Sequence, residues 1–173
     1  GLIEACARAS DAGILAASGA IKATDEMPDQ IKNRIRKGEQ GQELVLVWGR
    51  DSGKNEDVTL TQGDIRQLQL AKSAIYSGVA MLMSEAGVSS EALEELLLCG
   101  GFGNYIDVAS AVRIRLLPEL PVDRITYAGN AALMGAQMAL LADEEIDRAE
   151  ELIERIEHIA LAARPDFQDL FID

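Results

Sequence analysis

Cysteine is nearly missing from this chain. Its 173 residues hold two, Cys6 and Cys99, far apart and in no C-x-x-C pair. That spacing supports neither a disulfide framework nor a zinc site. Aromatic residues are equally scarce, at 4%, which argues against a sandwich of aromatic strands and for helices with close, small-residue packing. Basic clusters are also wanting. The formal net charge is −13, and "IKNRIRKG" (31–38) is the one short basic stretch. A nucleic-acid footprint needs clustered Lys and Arg, so nucleic acid is not an expected partner. An acidic surface also repels anionic membranes, though it does not forbid a nucleotide in a shielded cleft. There is no apolar run of 18 residues and no secretory-leader pattern. Together these absences predict no membrane association and a reduced, cytoplasmic setting.

What is present is a globular composition, 48% apolar, long enough for one domain with a real core. The chain opens on Gly1 inside a helical stripe, Leu2, Ile3, Cys6 and Ala7/Ala9, with no cap before it. This start predicts a piece of a longer protein. Residues 2–16 read as an amphipathic helix that ends near Gly13 or Gly19. Residues 22–41 are polar and read as loop with one short helix. "ELVLVWG" (43–49) and "DVTLT" (57–61) flank the turn chemistry of "SGKNED" and read as a β-hairpin.

A long helix is expected over 61–87. Thr61 with Asp64 resembles a capping box, Ile65, Leu68, Ile75, Val79 and Leu82 recur at helical spacing, and Gly87 sits where a terminating glycine belongs. A short helix then leads into a strand at 95–99, in which Cys99 reads as a small buried hydrophobe. Helix 107–114, strand 124–129, helix 130–141 and a helix from 143 towards 162 follow. "HIALA" (158–162) is open to a strand, and the Glu144–Arg148 and Glu151–Arg155 pairs line a solvated face. Trp48 reads as core, and His158 as structural or solvated. The stripe Ile146, Ala149, Ile153 and Ile156 is compatible with a dimer seam. Strand–helix alternation after a hairpin predicts an α/β domain with a mixed sheet of about five strands and helices on both faces.

Two stretches carry chemistry. "LLLCGGFGNY" (96–105) runs an apolar strand into Gly100, Gly101 and Gly103. Such a junction is either a sharp turn or a backbone that lies against a ligand. The dinucleotide G-x-G-x-x-G and the Walker pattern both fail here. "YAGNAALMGAQMA" (127–139) repeats the strand–glycine–helix arrangement, with Gly135 and its alanines suited to close helix packing.

The pair resembles the adenosine loop and second connecting helix of the superfamily that unites acetate and sugar kinases, heat-shock chaperone ATPases and actin. Within it, "RIRKGEQGQELVLVW" (34–48), "VTLTQGDIRQLQLAKSAI" (58–75), "LLLCGGFGNYIDVASAVRIRLLP" (96–118), "GNAALMGAQMALL" (129–141) and "PDFQDLF" (165–171) resemble the C-terminal end of the reductive activators of corrinoid proteins.

The resemblance implies a ribonuclease-H-like, actin-like ATPase fold. Residues 1–173 would be a single domain, the C-terminal half of that ATPase domain, with 1–41 a helix-plus-loop segment and 42–173 the mixed-sheet core. It implies a parent that uses ATP with Mg²⁺ and a [2Fe–2S] cluster in an N-terminal ferredoxin-like domain to restore Co(I) in a corrinoid protein or corrinoid-dependent methyltransferase, as a homodimer. Gly100, Gly101, Phe102 and Gly103 match the adenosine loop, and Asn104 takes the place of an arginine that some chaperone ATPases set against adenine. Asn130 matches a polar position near the ribose. Gln69, Lys72 and Ser73 match the helix that offers polar groups to the base. The superfamily's phosphate loops and the four thiolates of a cluster are not among these residues, so no catalytic or metal-binding residue is assigned and the chain alone is expected to be inactive. A sugar or acyl kinase fragment, and a non-catalytic dimerisation or docking domain, are the alternative readings.

Overall fold

Thr61 organises the centre of the molecule. Its hydroxyl accepts from the N–H of Asp64 at 3.0 Å, and the Asp64 carboxylate accepts from the N–H of Thr61 at 2.9 Å. This reciprocal cap satisfies donors that a helix start leaves unpaired, and α4 (Gln62–Ala86) runs from it to Gly87, which turns left-handed at φ +63°. The computed structural model describes residues 1–101 and 105–172; Phe102, Gly103 and Asn104 lie outside the described residues.

Two packing units hang on α4. The first comprises α1 (Leu2–Asp11), α2 (Asp29–Lys32), β1 (Ile35–Gly38), β2 (Gly41–Val47), α3 (Gly49–Ser52) and β3 (Val58–Thr61). Its sheet is antiparallel in the order β1-β2-β3, with Leu44 opposite both Ile35 and Leu60 and a register shift at Val45/Val47. Cys6, Ala9, Ile14, Ile21, Met27, Leu44, Leu60 and Ile65 close one core between α1, the sheet and the start of α4. Two glutamines of α4 hold the connecting loop. Gln62 accepts from the Ile21 N–H and donates to Gly19 O, and Gln69 Nε2 donates to Ser18 O at 3.1 Å. Trp48 is half-buried beyond β2, and the Arg34 guanidinium lies 5.8 Å from its ring centroid, so the ring carries a cation rather than filling the core.

The second unit comprises β4 (Leu96–Cys99), α5 (Val108–Arg113), β5 (Ile125–Gly129), α6 (Ala131–Leu141) and α7 (Asp143–Ile153). β4 and β5 are parallel, with Leu96 opposite Ile125 and Leu98 opposite Tyr127. Their inner face packs on Ala111, Leu116 and Leu117. α8 (Pro165–Ile172) lies against the second half of α4, where Arg164 pairs with Glu85 and Asp166.

The α/β class stands, but among the described residues the five strands form two sheets, not one. Residues 35–38, expected as loop, pair with β2; an edge strand carrying Arg36 and Lys37 on exposed positions lacks the apolar alternation by which strands are recognised. Cys99 is exposed, not buried. It shares with Leu97 the face of β4 that no described residue covers, because side chains alternate along a strand. α1 stops at Asp11, and α7 stops at Ile153. The "HIALA" stretch forms no strand, and the ion pair of α7 is Arg148 with Glu145 rather than Glu144.

Candidate functional site

The carboxyl ends of β4 and β5 meet at one edge. Both strands end in a left-handed glycine, Gly100 at φ +106° and Gly129 at φ +66°. The Gly100 N–H donates to Gly129 O at 2.7 Å, which locks the two turns side by side. Each strand end then feeds a capped helix. The Asp107 carboxylate accepts from the Ser110 N–H at 2.8 Å, and the Ser110 contacts hold that carboxyl below its ordinary range. Asn130 Oδ1 accepts from the Leu133 N–H at 3.1 Å. In α/β proteins this edge, where parallel strands end and helices begin, is where ligands bind.

The neighbouring glycines have different reasons to be glycine. Gly100 is in a region of φ that L side chains rarely adopt, so its turn alone demands it. Gly101 has no positive φ, and among the described residues a Cβ built on it meets nothing within 4 Å. Neither a positive φ nor a described neighbour explains Gly101, which is exposed beside the strand ends. Gly135 is likewise open: α6 makes no close approach there among the described residues, contrary to the packing role expected of it.

A cavity of about 370 Å³ lies beside the first half of α4. Gln69 and Lys72 line it from the helix, Ala16, Ala17 and Gly19 from the loop, and Arg113 and Arg115 from the end of α5. Gln69 is partly committed to the fold. It holds Ser18, and it fills the space a Cβ on Gly19 (φ +79°) would need.

Of the residues predicted to bind nucleotide, Gln69 and Lys72 therefore share one cavity, while Gly100, Gly101 and Asn130 gather at the strand ends and do not line it. Ser73 is half-buried on α4 and is not among the cavity's lining residues. Phe102, Gly103 and Asn104 fall outside the described residues. Arg113 and Arg115 line the same cavity without having been expected to. The signal was available in "AVRIRLLP", where a helix ends with no glycine after it.

The comparison with protein families settles the affiliation. The family described as the C-terminal domain of RACo, the ASKHA domain, matches residues 1–173. The chain belongs to the RACo C-terminal ASKHA domain family. It is 34% identical over 174 residues to the corrinoid activation enzyme RamQ of Eubacterium limosum, covering 99% of this chain and 29% of that protein. It is 26% identical over 117 residues to the [Co(II) methylated amine-specific corrinoid protein] reductase of Methanosarcina barkeri, covering 66% of this chain and 22% of that one. A solved structure of a reductive activator for corrinoid, iron–sulfur protein superposes with a TM-score of 0.86 at 35% identity, over 99% of this chain and 27% of the other. As an ASKHA domain, the chain has the actin-like ATPase fold. It spans under a third of the length of these relatives.

Proposed function

We propose that this ASKHA domain supplies the adenosine side of the nucleotide site in an ATP-dependent reductive activator, whose task is to restore the Co(I) state of a corrinoid protein or corrinoid-dependent methyltransferase. One observation carries the nucleotide half of this reading: Gly101, beside the paired strand ends, has neither a positive φ nor a crowding neighbour among the described residues to require glycine. A backbone that must pass under a ribose and α-phosphate supplies the missing reason. The glycines and Asn130 serve the sugar side of the ligand, and Lys72, Gln69 and Ser73 offer polar groups to its base. Phe102, Gly103 and Asn104, which follow Gly101 in sequence, complete the proposed set. ATP and Mg²⁺ would supply the energy of hydrolysis; the residues of this chain orient the nucleotide and do not carry out the phosphoryl step.

A [2Fe–2S] cluster does not fit these residues. Two cysteines are too few, and Cys6 is buried in the first core while Cys99 sits on the open face of β4. The cluster belongs to another part of the activator. The relatives' printed activities support a corrinoid protein as the partner. The apolar side chains left open on α6 and α7 support a homodimer or a covering segment of the same protein. Among the described residues no helix is long and apolar enough to cross a membrane.

The test compares the full-length gene product with its Gly101→Ala and Lys72→Ala variants by thermal melting and ATP titration. Gly101→Ala should melt no lower than wild type, since alanine at a compatible φ stabilises by about 0.4–1 kcal/mol. Its ATP affinity should nonetheless fall, and Lys72→Ala should weaken ATP as well. Equal affinity in all three proteins would return Gly100 and Gly101 to a plain turn.

A further inference from the structure

α4 is one helix of 25 residues, and its two halves are held by different partners. Ile65 and Leu68 anchor the first half in the core beneath the sheet. No residue from 66 to 76 is buried. Burial resumes at Ser77, 0% exposed, and Met81, 3% exposed. Ser77, Gly78, Met81 and Glu85 recur at helical spacing and share one face. That face meets the segment that follows α7. Leu161 Cδ1 lies 3.7 Å from the place a Cβ on Gly78 would take. Arg164 pairs with Glu85 and grips Asp166, in the first turn of α8, with Nε 3.0 Å from Oδ1 and Nη2 2.7 Å from Oδ2. Residues 154–160, which tether α8 to α7, form no helix or strand.

The covered face is where α4 is least suited to being a helix. Gly78 is the one glycine of its interior, and glycine in mid-helix is less favourable than alanine because it gives up more backbone freedom. Crowding does not require it: a Cβ there makes only ordinary contact with Leu161. Beside it the Ser77 hydroxyl is buried and makes no hydrogen bond among the described residues. A buried hydroxyl without a partner costs free energy that contact with water returns. Helices bend at Gly/Ser pairs. Two adjacent residues thus favour an opening of α4 at 77–78, and the contacts of Leu161 and Arg164 oppose it.

We propose that Ser77–Gly78 is a hinge in α4 and that Leu161, Arg164 and α8 splint it. With α8 seated the helix is continuous. With α8 lifted, residues 79–86 loosen while 62–76 stay fixed to the first core. The hinge falls after Lys72 and Ser73 and before Val79, Ala80 and Met83, which line a cavity of about 520 Å³ with Leu117 and Pro118. Release of α8 therefore reshapes that cavity and leaves the polar residues of the first half in place. α8 follows α6 and α7 in the chain, and α6 begins after Asn130, beside the strand ends, so a displacement of those helices has a covalent route to the hinge.

The experiment follows hydrogen exchange of the full-length gene product by mass spectrometry, on peptides covering 62–76 and 79–86, in wild type, Arg164→Ala, and Arg164→Ala with Gly78→Ala. Arg164→Ala should speed exchange in 79–86 about fivefold, as for loss of an exposed ion pair at the upper end of its range, with 62–76 unchanged. Adding Gly78→Ala should slow 79–86 again, because alanine strengthens the helix where the splint is lost. Three results would overturn the proposal. Faster exchange over both peptides means that α4 opens as one unit. Unchanged exchange in 79–86 means that α8 does not hold it. No recovery with Gly78→Ala places the weak point elsewhere in the helix.

Discussion

The two ends of α4 sit in different kinds of surroundings. At its start, the three-stranded sheet, α1 and the loop through Ile21 enclose a finished core in which Leu60 is 1% exposed. Past its end, β4, β5, α6 and α7 bury one face and leave the other bare: Leu97 is 56% exposed, and Leu140 and Leu141 are 84% and 85% exposed. α6 is apolar nearly all round, a pattern that belongs to a helix covered on every side. The first unit satisfies its own sequence. The second is written for a surface that these residues do not contain.

Thiol chemistry should separate the two units most sharply, since each holds one cysteine. Burial, followed by the nearby Asp64 carboxylate, pushes the Cys6 thiol upward, and it is the thiolate that reacts. Cys99 is open to solvent. Cys99 should react with a small aromatic disulfide on mixing, and Cys6 on the order of a hundredfold or more slowly, limited by opening of the core. Comparable rates at both would mean that the first core is loose. The kinetics of thiol release on wild type and Cys99→Ser measure this directly.

Truncation should follow the same division. Leu60→Ala is expected to cost about 2–5 kcal/mol, as for other buried leucines. Leu97→Ala should stay within about 0.5 kcal/mol, unless a partner covers that face, in which case its cost appears only in the assembled protein. Urea titrations of both variants, alone and in the full-length protein, distinguish the cases. The open face should also drive association. Sedimentation of the isolated chain should show species larger than a monomer, and the double substitution Leu140→Ser with Leu141→Ser should shift them towards monomer with little change in melting temperature. A monomer before mutation would refute this.

Much of the first unit could be read from residues alone. The Thr61–Asp64 box, Gly87 and the hairpin turn are local signals: a side chain caps a nearby N–H, or a glycine takes a φ that others avoid. β1 was missed because an edge strand with Arg36 and Lys37 exposed has no apolar alternation to find. Cys99 was misjudged for a different reason. Which face of a strand is buried depends on what lies against it, and no local pattern holds that information. The same gap limits the site. The glycines at 100 and 129 announce strand ends, but only the fold shows that Gly100 donates to Gly129 and that Gly101 takes no positive φ.

The smallest effect concerns acid. The Asp57 carboxylate accepts from the Gly49 N–H at 2.6 Å and pairs with Arg36 at 2.7 Å, and these contacts hold its carboxyl below the ordinary 3.8. A depressed folded value means that the contribution is fully present above the unfolded carboxylate's titration and fades as pH falls through the folded one. Asp57→Asn should therefore melt slightly lower than wild type at pH near 7, with the gap closing below about pH 4. A gap that widens in acid would show that Asp57 is not the group responsible.

The position of Trp48 has a practical consequence. It is the chain's single tryptophan, and it sits half-buried beyond β2 under the Arg34 guanidinium. Tryptophan emission is thus a private channel to the sheet unit: it reports the separation of Arg34 from the indole and is deaf to β4, β5 and α6. Helix content followed by circular dichroism draws on both units, through α4, α6 and α7. Recorded on one sample through one melt, the two signals act as separate clocks for the halves of the molecule, and the interval between them measures how far the unfinished half leans on the finished one.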